Sequence, residues 1–274
     1  MANRIDRKFS ELSASGRKGL FPFLVAGQPD MKTTIQIIQR LEKVGIAGVE
    51  LGFPFTDPVA DGPVIQSAFT QAISDGITVA TILNEIAKAR SSIAIPIIAM
   101  VSASIVYKIG IDQFLSGSSQ AGIDGFIIPD LSLEEAPIIA DKAASKDLRL
   151  SMLISPNTPP ARQERIAKTA SGFLYYMSIS GITGERDRLP DDLVKNVARI
   201  KEISRVPVLV GFGIKTAQQV RQVCTVADGA IVGSAIVRRI AQAKTEGKDS
   251  TGIVESVESY VVELMTGTTG VGIN

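Results

Sequence analysis

The chain has 274 residues, 45% of them hydrophobic and 21% charged, enough for one large barrel or two small domains with sizeable cores. Lys and Arg total 29 against 28 Asp and Glu, a formal net charge of +1, so no bulk field draws nucleic acid or an anionic membrane, although a local site for a small anion needs none. Histidine is absent, which excludes Ser-His-Asp and Cys-His triads and histidine metal sites and leaves proton chemistry to Asp, Glu, Lys or Tyr.

The opening residues, Met1 to Asp6, carry charge at once rather than the apolar stretch of a signal peptide. No later run approaches the roughly 18 apolar residues of a membrane span, so a cytoplasmic protein is expected. An amphipathic segment, Arg4–Ala14, comes first. Short runs rich in β-branched or aromatic residues then alternate with segments of helical period. Strands are predicted at Leu20–Ala26, Gly48–Gly52, Ile95–Val101, Gly125–Pro129, Arg149–Ile154, Phe173–Ser178, Pro207–Gly211 and Gly229–Val232. Helices are predicted between them, among them Thr33–Val44, with Ile35, Ile38, Leu41 and Val44 on one stripe, Ile111–Ala121 and Leu133–Ala144.

The only cysteine, Cys224, falls in a helical segment and reads as buried packing; alone it allows no intramolecular disulfide and no cysteine-rich zinc site. Lys244–Thr251 reads as a polar surface loop between the last two helices, and Thr266–Asn274, with three glycines, as a frayed tail. Runs such as Ile95–Ile98 and Pro207–Val210 are almost continuously apolar, as strands of a helix-covered parallel sheet must be. Eight such βα units predict a single (β/α)8 TIM barrel over residues 1–274, with an extra N-terminal helix and an extra C-terminal helix; an open doubly wound sheet is the alternative.

Ligands of such barrels sit at the C-terminal strand ends, and three groups lie there. In the first, a strand delivers Glu50 and runs into a loop with Asp57 and Asp61, stiffened by Pro54, Pro58 and Pro63. If Val49 and Leu51 pack outward, Glu50 points into the mouth, where desolvation raises its pKa into the range of a carboxyl that both gives and takes a proton. Asp57 and Asp61 suit a turn as well as a site. The second group is Gly211-Phe-Gly-Ile-Lys-Thr216 with Gly233-Ser-Ala235 one unit later: glycines and a helix start, with Ser234 placed to cap it, where backbone amides can meet a phosphate. The third is Tyr175-Tyr-Met-Ser-Ile-Ser-Gly-Ile-Thr-Gly-Glu-Arg-Asp-Arg188, a strand running into a polar loop able to fold over the site; one of its tyrosines should face the barrel interior and its neighbour the helices.

With these groups in place, the sequence from Phe21 to about Ala243 resembles the tryptophan synthase α subunit family. The resemblance rests on Glu50-Leu-Gly-Phe-Pro-Phe-Thr-Asp-Pro-Val-Ala-Asp-Gly-Pro63-Val-Ile-Gln66, followed in the family's order by Ser155-Pro-Asn157, Ser180-Gly-Ile-Thr-Gly184, Gly211-Phe-Gly-Ile214 and Gly233-Ser-Ala235. It implies retro-aldol cleavage of indole-3-glycerol phosphate to indole and glyceraldehyde 3-phosphate. Glu50 would protonate the indole C3 and take the glycerol hydroxyl proton, and Asp61 would assist loss of the N1 proton. Phe23, Tyr175, Thr183, Gly184, Phe212, Gly213, Gly233 and Ser234 would bind the substrate, Thr183 meeting Asp61 and the glycines and Ser234 holding the phosphate. No metal and no cofactor is expected, because the protonated indole ring is itself the electron sink. The resemblance also implies an α2β2 complex that passes indole to a pyridoxal-phosphate β subunit.

The chain departs from the family pattern in two places. Val25-Ala-Gly-Gln-Pro29 stands where the family has Thr-Ala-Gly-Asp-Pro, and Ser102 and Ser104 where it commonly has Tyr and Asn, positions that shape the indole pocket and the β-subunit face. The competing readings are a sugar-phosphate epimerase or aldolase on the same barrel, a stand-alone lyase, and a non-catalytic activator of a β subunit.

Overall fold

The computed structural model describes residues 3–58, 61–177, 189–190, 192–211 and 213–269. Its first helix, α1 (Arg4–Ala14), has the predicted bounds. Asn3 caps it by accepting from the Ile5 amide at 2.8 Å, and Ile5, Phe9 and Leu12 form its buried stripe.

Strand β1 (Gly19–Val25) leads to α2 (Met31–Val44), which is capped by Asp30 and stopped by Gly45, and then to β2 (Val49–Gly52). Two helices, α3 (Pro63–Ser74) and α4 (Val79–Ala89), precede β3 (Ile97–Met100), and two more, α5 (Ala103–Ile109) and α6 (Ile111–Ala121), precede β4 (Gly125–Ile127). The break between α5 and α6 is Gly110, at φ +93°, a conformation side chains disfavour. The remaining units are α7 (Ala136–Ala144), β5 (Arg149–Ile154), α8 (Pro160–Thr169), β6 (Leu174–Met177), α9 (Leu193–Ile203), β7 (Val208–Gly211), α10 (Ala217–Cys224), β8 (Gly229–Val232) and α11 (Ser234–Thr245). A last helix, α12 (Ser250–Met265), stands outside the repeat.

The strands pair in parallel in chain order and β1 closes on β8, so the sheet is a closed barrel rather than an open doubly wound sheet. Alternation divides the core in two. Val49, Leu51, Ile97, Ala99, Val208 and Val210 face the helices. Phe21, Phe23, Ile98, Ile127, Tyr175, Leu209 and Ile231 fill the interior. Cys224 belongs to the outer core, with burial pushing its thiol up to about 12, which suits packing and not reaction.

The N-terminal end of the barrel is sealed by α1. Phe9 stacks on Phe21, with ring centroids 5.6 Å apart, and meets Phe173 at 6.0 Å. Asp124, 3% exposed, binds Arg90 at 2.8 Å, Arg4 at 2.9 Å and the Ile97 amide at 2.8 Å. Asn3 adds bonds to the carbonyls of Asp124 and Asp147, and Asp6 pairs with Arg149 at 2.6 Å.

Some predicted bounds need correction. The third strand begins at Ile97, after Pro96, not at Ile95. The helix predicted from Leu133 starts at Ala136, because Pro137 fits only a first turn and Ser132 and Glu135 bond to each other in the turn before it. The predicted loop from Lys244 to Thr251 is only the stretch between Thr245 and Ser250, with Asp249 capping α12. The predicted tail is packed at its start: the Thr266 carbonyl accepts from Arg221 Nη2 at 3.0 Å and Gly267 lies buried against the Ala217 carbonyl; residues 270–274 lie outside the described residues. Among the described residues no helix is long and apolar enough to cross a membrane.

Candidate active site

A cavity of about 410 Å³ opens at the C-terminal ends of the strands. Glu50 lies in its wall, midway along β2, with Phe23 of β1 opposite it on one side and Ile98 of β3 on the other. Because Val49 and Leu51 are held in the outer core, the pleat sends Glu50 inward. It is 2% exposed, and neither carboxylate oxygen has a hydrogen-bond partner among the described residues. Burial, reinforced by the charge of Asp61, pushes its carboxyl up to about 8.

Asp61 lies across the same cavity in the loop before α3. Its backbone amide donates to the Pro58 carbonyl at 3.0 Å, and Gln66 Nε2 donates to its own carbonyl at 2.7 Å, so a turn and the first turn of α3 fix it. Half-buried, it is pushed up to about 6 by desolvation. Asp61 therefore both forms a turn and lines the cavity. Asp57 lies at the exposed rim of the cavity.

Tyr175 faces the interior and Tyr176 the helices, as alternation requires. Tyr175 is buried in the cavity wall, its phenol held well above the usual range by burial and then by the charges of Glu50 and Asp61, so it stays neutral. Phe23 lies against both Gly52 and Gly233, on the floor between the carboxyls and the far rim. That rim carries Gly213, Gly233 and Ser234. Gly213 has φ +82°, which turns the chain sharply after β7. Ser234 does not cap α11 as expected: Gly233 is the cap residue, Ser234 is the first helical residue, and no side chain among the described residues caps the helix, whose N-terminal residues line the cavity. Thr183, Gly184 and Phe212 lie outside the described residues.

The rest of the wall was not singled out from sequence: Phe55, Met100, Ile128, Asp130 and Leu153 line it. Ser102 also lines it, at the cap of α5, accepting from the Ser104 amide at 3.2 Å and donating to Asp130 at 2.7 Å. Asp130 accepts in addition from the Ala103 amide at 2.8 Å. Gln28 is buried behind the mouth, its Nε2 donating to the Val237 carbonyl of α11 at 3.2 Å while its Oε1 has no partner among the described residues.

The model of the tryptophan synthase alpha chain family matches residues 9–268. The chain belongs to this family. It is thus an α chain of tryptophan biosynthesis, the lyase that cleaves indole-3-glycerol phosphate. The tryptophan synthase alpha chain of Prochlorococcus marinus is 41% identical over 268 residues, 97% of each chain. That of Chloroflexus aurantiacus is 38% identical over 265 residues, 96% of this chain and 98% of its own. Tryptophan synthase subunit alpha from Legionella pneumophila superposes with a TM-score of 0.89 at 33% identity, over 98% of this chain and 99% of that one. A chain of the tryptophan synthase complex from Pyrococcus furiosus superposes with a TM-score of 0.82 at 29% identity, over 91% and 98% of the two chains.

Within the tryptophan synthase alpha chain family, the two departures in this chain have local hydrogen-bonding partners of their own. The serines at 102 and 104 bond to each other at 2.8 Å, Ser102 also donates to Asp130, and Gln28 bonds to α11. Val25 is fully buried in the interior core.

Proposed function

We infer that Glu50 and Asp61 divide the proton transfers of indole-3-glycerol phosphate cleavage between them, and the observation that carries this is that the two carboxyls line one cavity in unlike surroundings, Glu50 buried and Asp61 half-buried. With carboxyls at about 8 and about 6, Glu50 is mainly protonated and Asp61 mainly ionised at neutral pH. Glu50 gives its proton to C3 of the indole while Asp61 takes the N1 proton, which yields the indolenine tautomer. The Glu50 carboxylate, without a partner among the described residues and poorly solvated, is then the base for the glycerol hydroxyl next to C3. As that proton leaves, the carbonyl of glyceraldehyde 3-phosphate forms, the C–C bond breaks and its electron pair flows into the ring. Asp61 returns its proton to N1, and Glu50 ends protonated as it began.

The apolar wall of Phe23, Met100, Leu153, Tyr175 and Ile231 suits the indole ring. The phosphate fits the rim of Gly213, Gly233 and Ser234, at a helix N-terminus after strands seven and eight. From the family resemblance, Thr183, Gly184 and Phe212 complete this enclosure, and residues 1–274 act as one barrel domain in the cytoplasm. The same resemblance supports an α2β2 assembly that hands indole to a β subunit, with the cavity side that holds Ser102 and Asp130 toward the partner.

Indole release from indole-3-glycerol phosphate, followed with and without a β subunit, tests the reading. Glu50→Gln abolishes release by the folded protein; a near-wild-type rate in that variant would falsify the assignment. Stimulation of a β subunit by a chain that itself releases no indole favours the activator reading instead.

A further inference from the structure

The helix α12 lies outside the eight βα units, yet it touches both elements that form the glycine rim. Tyr260 donates its hydroxyl to the carbonyl of Lys215 at 2.6 Å, two residues beyond Gly213 in the loop after β7. The guanidinium of Arg239, in the second turn of α11, lies over the Tyr260 ring with its carbon 5.0 Å from the centroid. Arg239 Nε also donates to the Ser256 carbonyl at 3.3 Å, one turn earlier on α12. One side chain therefore holds the β7–α10 loop by its hydroxyl and the helix that starts at Ser234 by its ring.

The rest of that loop is tied down as well. The amides of Lys215 and Thr216 both donate to Gln219 Oε1, at 2.8 and 3.2 Å, and Thr216 caps α10. The end of α12 reaches α10 again through the bond from Arg221 to the Thr266 carbonyl. A phenylalanine at 260 would pack as tyrosine does, but only the hydroxyl reaches the loop backbone.

We propose that Tyr260 is a positioning residue for the phosphate half of the site: it sets the spacing between the Gly213 loop and the start of α11, so that their backbone amides converge on one phosphoryl group. This rests on the phosphate reading given above. A shift of either element opens the rim without moving Glu50 or Asp61, so the cost falls on binding of the phosphorylated substrate and not on the proton transfers.

The test is steady-state kinetics of the full chain with indole-3-glycerol phosphate and with its dephosphorylated analogue, indole glycerol, with inorganic phosphate as competitive inhibitor. Tyr260→Phe keeps the ring under Arg239 and removes one hydrogen bond, so KM for the phosphorylated substrate and the phosphate inhibition constant each rise about fivefold, while kcat and the KM for indole glycerol stay within about twofold. Val262→Ala, on the exposed face of the same helix, changes none of these. Arg239→Gln, which removes the ring contact and leaves the hydroxyl bond, moves the same two constants in the same direction, and stands in should Tyr260→Phe not fold. Unchanged constants in both variants, or equal losses with both substrates, would overturn the positioning role. If the wild-type chain binds both substrates alike and phosphate does not inhibit it, the phosphate reading itself falls, and this is seen before any substitution is made.

Discussion

The hydroxyl of Tyr175 lies against the Cα of Gly211, in the space a Cβ there would fill, with the ring's Cζ and Cε1 only 2.5 and 2.7 Å from that position. Tyr175 and Gly211 stand on adjacent strands, and both neighbours of the glycine are constrained, Val210 by the outer core and the loop beyond by its bonds to Gln219 and Tyr260. The ring must therefore yield if Gly211 gains a side chain, and the open space beside it is the cavity it shares with Glu50. Gly211→Ala lowers kcat on the order of tenfold to a hundredfold, the cost of displacing a wall group by about 1 Å. Tyr175→Phe does not relieve it, because with the nearer oxygen gone the ring carbons at 2.5 and 2.7 Å still crowd the position; recovery of activity in that double variant would count against the geometry.

The two carboxyls predict a bell-shaped pH dependence of kcat/KM. Activity rises as Asp61 ionises near pH 6 and falls as Glu50 loses its proton near pH 8, with the maximum between them. In Asp61→Asn the low-pH limb disappears. The high-pH limb also moves below 8, since the Asp61 charge helps raise the Glu50 carboxyl. A high-pH limb that stays in place would separate the two groups electrostatically.

Glu50 also carries a stability cost with a definite sign. Its folded-state value of about 8 lies above the ordinary 4.5, so the folded form is favoured by protonation and loses stability as pH rises from about 4.5 through about 8. Glu50→Gln escapes this loss. The variant should unfold at a higher urea concentration than the parent at pH 9 and near the same concentration at pH 4.5, with a gap on the order of a few kcal/mol at the alkaline end. A gap that is constant with pH would mean that Glu50 is solvated in the folded chain.

Replacing Gln28 by the aspartate of the family pattern should destabilise this chain. The side chain is buried and donates to the Val237 carbonyl, whereas an ionised carboxylate there would face a carbonyl oxygen with nothing to donate. Gln28→Asp costs roughly 1–3 kcal/mol, the penalty of a buried unmet group, read from urea unfolding; Gln28→Asn, which keeps the donor on a shorter arm, costs less.

The barrel could be read from sequence because its two signals are local: apolar strand runs and helical stripes at regular spacing. Glu50 could be read for the same reason, as a carboxyl set between Val49 and Leu51 on a strand whose pleat leaves it only the interior. Asp61 needed the family resemblance, since Pro58 and Gly62 around it suit a turn, and the turn is indeed there. Met100 and Leu153 were open to the same alternation that found Glu50, each lying two residues beyond an inward position, Ile98 and Ser151 respectively. Asp130 follows β4 at a strand's C-terminal end, where the barrel rule places functional groups. Tyr260 had no such signal. Its bond to Lys215 spans 45 residues between two helical units, and neither periodicity nor motif spacing encodes a contact of that kind.

The seal at the bottom of the barrel bears on how the chain is made. Apart from Phe21, the partners that anchor α1, from Asp124 and Asp147 to Arg149 and Phe173, are synthesised long after it. This helix therefore lacks most of its berth until the sixth strand has been made, and until then Ile5, Phe9 and Leu12 are a sticky stripe short of cover. Its docking is the late event that stoppers the barrel, so α1 waits on more of the chain than the strand that follows it, which finds its first neighbour in β2.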